Sequence, residues 1–115
     1  MHLHFISPFD PKEFRSSTIA SFRLRLNYVY EAAKQCGYKI TSDLLTNYSA
    51  DIFYISKITE DTKKEIFNTI QEIKKINKHI LVDYTDDILD SNYDKDRKEI
   101  YEELMKINSV FIVPV

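Results

Sequence analysis

Glycine is nearly absent from this chain, which has one glycine, Gly37, among 115 residues. A phosphate-binding loop of the P-loop or GxGxxG type needs several glycines, because its backbone must approach the phosphate closely. The sequence therefore excludes both kinds of nucleotide-binding loop. Cysteine is equally scarce. Cys36 alone can form neither an internal disulfide nor a CxxC metal motif.

Long apolar runs and a dominant charge of one sign are also missing. No run approaches the ~18 residues needed to cross a bilayer, so no transmembrane segment is expected. The first residues, MHLHFISPFDPKEF, lack a basic region followed by an apolar core, so no signal peptide is indicated and the cytoplasm is the default location. The net charge of −2 argues against general nucleic-acid binding, which needs a basic surface.

The sequence does contain a regular alternation of strand and helix patterns, long enough for one domain over residues 1–115. Gly37 is expected to end the first helix in the left-handed conformation. Residues 8–18 are predicted to form a polar loop. Strands are predicted at 2–7, 38–40, 50–56, 79–84 and 109–115, with residues 41–49 as a connection. Helices are predicted over about 17–36, over 95–107 and from Thr59 onward, where Ile66, Ile70, Ile73 and Ile76 form an apolar stripe.

This order predicts an α/β fold, a doubly wound parallel sheet of about five strands with a Rossmann-like three-layer α/β/α arrangement. The strand order 2-1-3-4-5 is preferred over 3-2-1-4-5. Ligands in such sheets bind beyond the carboxyl ends of the strands, where the order reverses. That crevice is predicted between strands 1 and 3, lined by residues 8–19 and Lys57. The sequence ends inside the apolar strand VFIVPV, so the sheet is expected to be incomplete at its C-terminus.

Three acids follow the apolar run of the fourth strand: Asp83, Asp86 and Asp87. Paired carboxylates can act as acid and base or hold a divalent ion. They can equally be the solvated end of a buried strand, where Asp87 would accept backbone N–H bonds of a turn. Acids on one loop are weak grounds for a metal site, and none is predicted.

The segment SSTIASFRLRLN offers further candidates. Arg23 and Arg25 could hold an anionic or sugar ligand through their guanidinium groups, or could solvate the helix surface. Because residues two apart on a helix differ in direction by ~200°, both cannot face one ligand. Ser17 and Ser21 are read as helix caps close to the crevice.

Four other side chains have a functional and a structural interpretation. Lys57 follows the third strand and either faces a ligand or points into water. His2 and His4 share one side of the first strand, and without a third ligand core or edge packing is favoured over zinc binding. Cys36 continues an apolar helix face and is predicted to be an inert core residue.

Four segments together resemble the N-terminal domain of GT-B-fold glycosyltransferases of the group 1, or family 4, type: SFRLRLNYVYEAAKQCGYKI, ADIFYISKI, ILVDYTDDI and SVFIVPV. In that family the first long helix ends in a glycine before strand 2, here Gly37. A later strand begins with an Ala-Asp pair, here Ala50 and Asp51. The next strand leads into an acidic D-x-x-D-D loop, here residues 83–87. The resemblance covers the chain from about residue 16 to its end.

The resemblance implies part of an enzyme that moves a sugar from a nucleotide-sugar donor to a glycan or lipid-linked acceptor, in glycan or cell-envelope polysaccharide synthesis, with no metal or other cofactor. This chain would be the acceptor side, and a C-terminal domain that the sequence does not contain would hold the donor. Catalysis by the chain alone is therefore not expected, and no catalytic residue is assigned. The resemblance also allows a full-length protein that is peripheral to the membrane. The implied acceptor-site residues are Ser17, Ser21, Arg23, Arg25, Lys57, Asp86 and Asp87. The glycines that the family often has after strand 1 are missing here.

A second interpretation belongs to another class of protein. The chain also has the size of a stand-alone α/β binding or signalling module resembling a receiver domain. A phosphorylation receiver has an acidic pair after strand 1 and an acceptor aspartate after strand 3. Here Pro8, Phe9 and Asp10 follow strand 1 and Lys57 follows strand 3, which disfavours a receiver but not another binding module.

Overall fold

Five parallel strands form one sheet in the computed structural model of the chain. The structure describes residues 1–7, 9–16, 26–44, 49–55, 62–76, 79–83, 95–107 and 109–112. The strands are β1 (His2–Ile6), β2 (Lys39–Asp43), β3 (Ile52–Ile55), β4 (His79–Asp83) and β5 (Ser109–Ile112). The helices are a 3-10 helix (Pro11–Ser16), α1 (Asn27–Gln35), α2 (Lys63–Lys74) and α3 (Lys95–Met105).

The strands lie in the order β2-β1-β3-β4-β5, which confirms the predicted doubly wound arrangement and the preferred order. β1 is central: Leu3 is opposite Ile40 of β2 on one side and Ile52 of β3 on the other. The direction of winding reverses between β1 and β3. The carboxyl ends of these two strands therefore define the edge at which such sheets bind ligands.

Each face of the sheet carries its own hydrophobic core, because successive side chains of a strand point to opposite faces. One face packs on α2 and α3 through Phe53, Ile70 and Leu104, all fully buried. The other packs on α1 and the 3-10 helix through Phe5, Phe14 and Leu26. The predicted α2 stripe is confirmed, with Ile66, Ile70 and Ile73 buried and Ile76 packed against the same core.

Helix α1 ends as its sequence predicts. Gly37 has a φ of 76°, the left-handed conformation that residues with a Cβ adopt at a cost. Its N–H donates to the Lys34 carbonyl at 3.1 Å, and the Tyr38 N–H donates to the Ala33 carbonyl at 3.0 Å. These are the two hydrogen bonds of a Schellman motif, and Tyr38 packs on the same core as Ala33, so the motif joins α1 to β2.

Three predictions from the sequence were wrong at this level. Residues 41–43 were read as a connection but belong to β2, because an edge strand tolerates polar side chains while its backbone pairs with β1. Pro11–Ser16 were read as loop but form the 3-10 helix. Cys36 was read as a core residue but is exposed, because α1 ends at Gln35 and Gly37 turns the chain away. The predicted beginnings of the first two helices, residues 17–25 and Thr59, lie outside the described residues.

Ion pairs join α2 to α3 on the surface. Lys63 Nζ lies 3.1 Å from Asp96 Oδ2 near the beginnings of the two helices. Lys74 donates a hydrogen bond to Glu103 nearer their ends, and this bond holds the pKa of the Glu103 carboxyl below its usual range. Both pairs bridge two helices whose apolar side chains share one core on the same face of the sheet.

Substitution of Gly37 tests the α1 end. Gly37→Ala should lower the free energy of unfolding by about 1 kcal/mol, because alanine is strained at this positive φ. No atom lies within 4 Å of the position of an added Cβ, so the loss is conformational and not steric. Gly37→Asn is the control and should lose less, since asparagine tolerates the left-handed region. Urea unfolding measures both, and equal losses would contradict the assignment.

Candidate functional site

The carboxyl ends of β1, β3 and β4 form the edge where the sequence predicts ligand binding. All seven predicted site residues lie outside the described part of the chain: Ser17, Ser21, Arg23, Arg25, Lys57, Asp86 and Asp87. Their roles stay predictions. The described residues at the same edge are Ser7 after β1, Tyr54 in β3 and Asp83 at the end of β4.

Asp83 is a buried carboxylate at this edge, with 2% of its surface exposed. Tyr54 Oη donates a hydrogen bond to Asp83 Oδ2 at 3.0 Å. The contact follows from the strand register: Tyr54 is opposite Leu81, and Asp83 lies two residues further along the same side of β4. A long side chain reaches such a diagonal neighbour. The sequence indicates Asp83 as a candidate but does not indicate Tyr54 as its partner.

The chain leaving β1 is fixed at the same edge. The Ser7 N–H donates to the Asp43 carbonyl at 3.2 Å, which extends the pairing of β1 with β2 by one bond. Ser7 Oγ accepts the Phe9 N–H at 3.2 Å. Ser42 Oγ then donates to the Phe9 carbonyl at 2.8 Å. The segment that begins the predicted crevice is therefore bound to β2 at two points, Ser42 and Asp43.

The 3-10 helix that follows has a recognisable start. Asp10 Oδ1 accepts the Lys12 N–H at 2.9 Å, and the Asp10 carbonyl accepts the Glu13 N–H at 2.8 Å. Pro11, with its fixed φ, suits the first helical position. Phe14 anchors the helix: it is fully buried and its ring lies 5.2 Å from that of Phe5. The buried Phe14 thus fixes this otherwise polar segment against the sheet, beside the carboxyl edge.

A second polar cluster lies on the face that carries α2 and α3. His2 Nε2 and His4 Nδ1 each lie 2.7 Å from Thr41 Oγ1. Ser49 Oγ lies 3.2 Å from His2 Nδ1. Both imidazoles are buried, with 6% of His2 and 1% of His4 exposed. The expected core packing of the two histidines is observed, with Thr41 as the link between them.

Hydrogen counting constrains this cluster. Thr41 has one hydroxyl hydrogen, so it can donate to one imidazole nitrogen and must accept from the other. In one arrangement Ser49 donates to His2, His2 to Thr41 and Thr41 to His4. In the other arrangement every donor and acceptor is exchanged. All three contacts can therefore be hydrogen bonds at the same time.

A metal centre has no basis in the described residues. No group of three or more His, Cys, Asp or Glu side chains among residues 1–7, 9–16 and the further described ranges could hold an ion. Within the same ranges, no helix combines the length and the apolar character that a bilayer crossing requires. Comparison of the chain with protein-family models, curated proteins and solved structures finds no match.

The Tyr54–Asp83 contact can be measured by a double-mutant cycle. Tyr54→Phe should lower the free energy of unfolding by about 1–3 kcal/mol, because a buried carboxylate loses a hydrogen-bond donor. Asp83→Asn keeps the shape and removes the charge. The double variant should lose less than the sum of the single variants. Strict additivity in urea unfolding would show that the two groups do not interact.

Thr41 tests the histidine cluster. Thr41→Val keeps the shape and removes the hydroxyl that both imidazoles contact, so the free energy of unfolding should fall by about 2 kcal/mol. Thr41→Ser is the matched control, because it retains the hydroxyl and should lose less. The nitrogen NMR shifts of His2 and His4 should change in the valine variant only. Valine and serine variants of equal stability would refute the bridging role.

Proposed function

We propose that this chain is the acceptor-side domain of a glycosyltransferase with the GT-B fold. The full enzyme would transfer a sugar from a nucleotide-sugar donor to a glycan or lipid-linked acceptor. The observation that carries the proposal is the position of Asp83, the first residue of the D-x-x-D-D sequence: it is buried at the end of β4, on the carboxyl edge of a doubly wound sheet. The sequence resemblance selects the family.

The chemistry of this edge suits an acceptor rich in hydroxyl groups. Carboxylates accept hydrogen bonds from sugar hydroxyls. Asp83 itself is buried and bonded to Tyr54, so it fixes the start of the acidic sequence. Asp86 and Asp87 follow Asp83 by three and four residues. In the proposal they bind acceptor hydroxyls, while Lys57, Arg23 or Arg25 bind anionic groups, and Ser17 and Ser21 cap the helix beside them. The donor is held by a second domain, supplied by the longer protein or by a partner.

The experiment uses the complete reading frame, expressed with the protein encoded next to it. Transfer of labelled sugar from a panel of nucleotide-sugars to extracted glycans and lipids is measured. We expect Asp86→Asn and Asp87→Asn each to raise the KM for the acceptor about tenfold, the effect of one lost charge-assisted hydrogen bond. The KM for the donor should not change, because the donor is bound elsewhere.

Glu102→Gln is the control for these variants. Glu102 is an exposed residue of α3, so its substitution removes one negative charge without touching the proposed site. Its kinetics should equal those of the wild-type enzyme. The enzyme proposal fails if no donor domain is encoded in frame or as a partner, or if both aspartate variants transfer sugar with unchanged constants.

A second candidate is a stand-alone binding or signalling module. The order β2-β1-β3-β4-β5 favours it, because flavodoxin-like single domains use the same order. Against a phosphorylation receiver, β3 (Ile52–Ile55) contains no aspartate to accept the phosphoryl group. Incubation with acetyl phosphate and Mg²⁺ distinguishes the two. A stable aspartyl phosphate would favour the module over the glycosyltransferase.

A further inference from the structure

A cleft of about 440 Å³ opens beside the edge strand β2, between the 3-10 helix and α1. It lies on the side of Phe14, away from α2 and α3, and a pocket of this size is large enough for a monosaccharide derivative. The described residues that line it are Asp10, Pro11, Lys12, Tyr30, Lys34, Ile40, Thr41 and Ser42.

Two ammonium groups line the cleft. In the part of the chain that the structure describes, neither Lys12 nor Lys34 forms an ion pair with a carboxylate. Lys34 Nζ lies 5.7 Å from the centre of the Tyr30 ring, a cation–π contact that keeps the charge at the cleft wall. Among the described lining residues, two lysines against one aspartate give a positive balance, in a chain whose net charge is −2.

Asp10 and Ser42 add hydrogen-bond acceptors to the lining. Asp10 uses Oδ1 for the Lys12 N–H, and its second oxygen forms no hydrogen bond with the described residues. Ser42 Oγ donates its hydrogen to the Phe9 carbonyl, so its lone pairs are left to accept. The Asp10 carboxylate would repel an anion that has no hydroxyl groups. A ligand that also carries hydroxyl groups can donate to both oxygens.

The apolar part of the lining suits a ring. Tyr30, Ile40 and Pro11 are half-buried, so each presents part of its surface to the cleft. The Tyr30 ring is held edge-on by Phe14, with 6.4 Å between ring centres. Held in this way, Tyr30 can pack against the C–H face of a sugar ring without losing conformational freedom on binding.

We infer that this cleft binds a phosphate monoester of a sugar or a similar small polyol. Lys12 and Lys34 hold the phosphate, whose charge near −2 at neutral pH matches two ammonium groups. Asp10 and Ser42 accept hydrogen bonds from the hydroxyl groups, and Tyr30 packs against the ring. The inference rests on the cleft alone and does not depend on the glycosyltransferase proposal.

The experiment is a ¹H–¹⁵N NMR titration of the full chain with glucose 6-phosphate, in parallel with glucose and with inorganic phosphate. We expect saturable shifts of the Lys12, Ile40 and Ser42 amides with the ester, and weaker binding of glucose and of phosphate alone. Lys12→Gln combined with Lys34→Gln should weaken binding of the ester at least about tenfold, through loss of charge-assisted contacts.

Lys75→Gln combined with Lys106→Gln is the control pair. Both are exposed lysines whose removal changes the net charge equally, and their surface ion pairs contribute little to stability. This pair should bind the ester as the wild type does, and thermal unfolding checks that each double variant is folded. The inference is overturned if the control pair weakens binding equally, if phosphate alone binds as tightly as the ester, or if the cleft amides do not shift. The titration contains no sugar donor and no partner protein. Its result therefore tests binding in the cleft separately from the glycosyltransferase proposal.

Discussion

The burial of β1 on both faces and both edges is the constraint on which the rest of the structure depends. Every side chain from His2 to Ile6 is buried, and the strand pairs with β2 on one side and β3 on the other. A buried strand cannot leave a polar side chain without a partner. His2 and His4 both contact Thr41 on the neighbouring strand, so one hydroxyl in the middle of β2 serves two buried imidazoles.

The same strand also determines where binding chemistry is found. The sheet winds in opposite directions on the two sides of β1, so the carboxyl edge opens beside it. Ser7, the 3-10 helix and Asp83 fix the described part of that edge through hydrogen bonds and the buried Phe14. The cleft beside β2 is bounded by the same 3-10 helix and includes Asp10, Pro11 and Lys12, which belong to the segment predicted to line the crevice.

Patterns local to one element predicted the fold well. Apolar runs identified β1 and β4, the isoleucine spacing identified α2, and Gly37 marked the end of α1. Predictions failed where tertiary contacts determine the local secondary structure. Polar residues 41–43 become strand only because β1 lies beside them, and the 3-10 helix forms around Phe14, which packs on Phe5. The Tyr54–Asp83 bond could not be predicted, since it depends on the register of β3 against β4. The seven predicted site residues stay predictions, as does the glycosyltransferase family.

Native-state hydrogen exchange of the backbone amides tests the central role of β1 most directly. If β1 organises both faces, the amides of Leu3 to Ile6 should exchange only through global unfolding, because every route to water opens the whole sheet. The amides of the edge strands β2 and β5 should exchange faster, through local opening. β1 amides that exchange as fast as those of β2, with a free energy below that of global unfolding, would contradict the account.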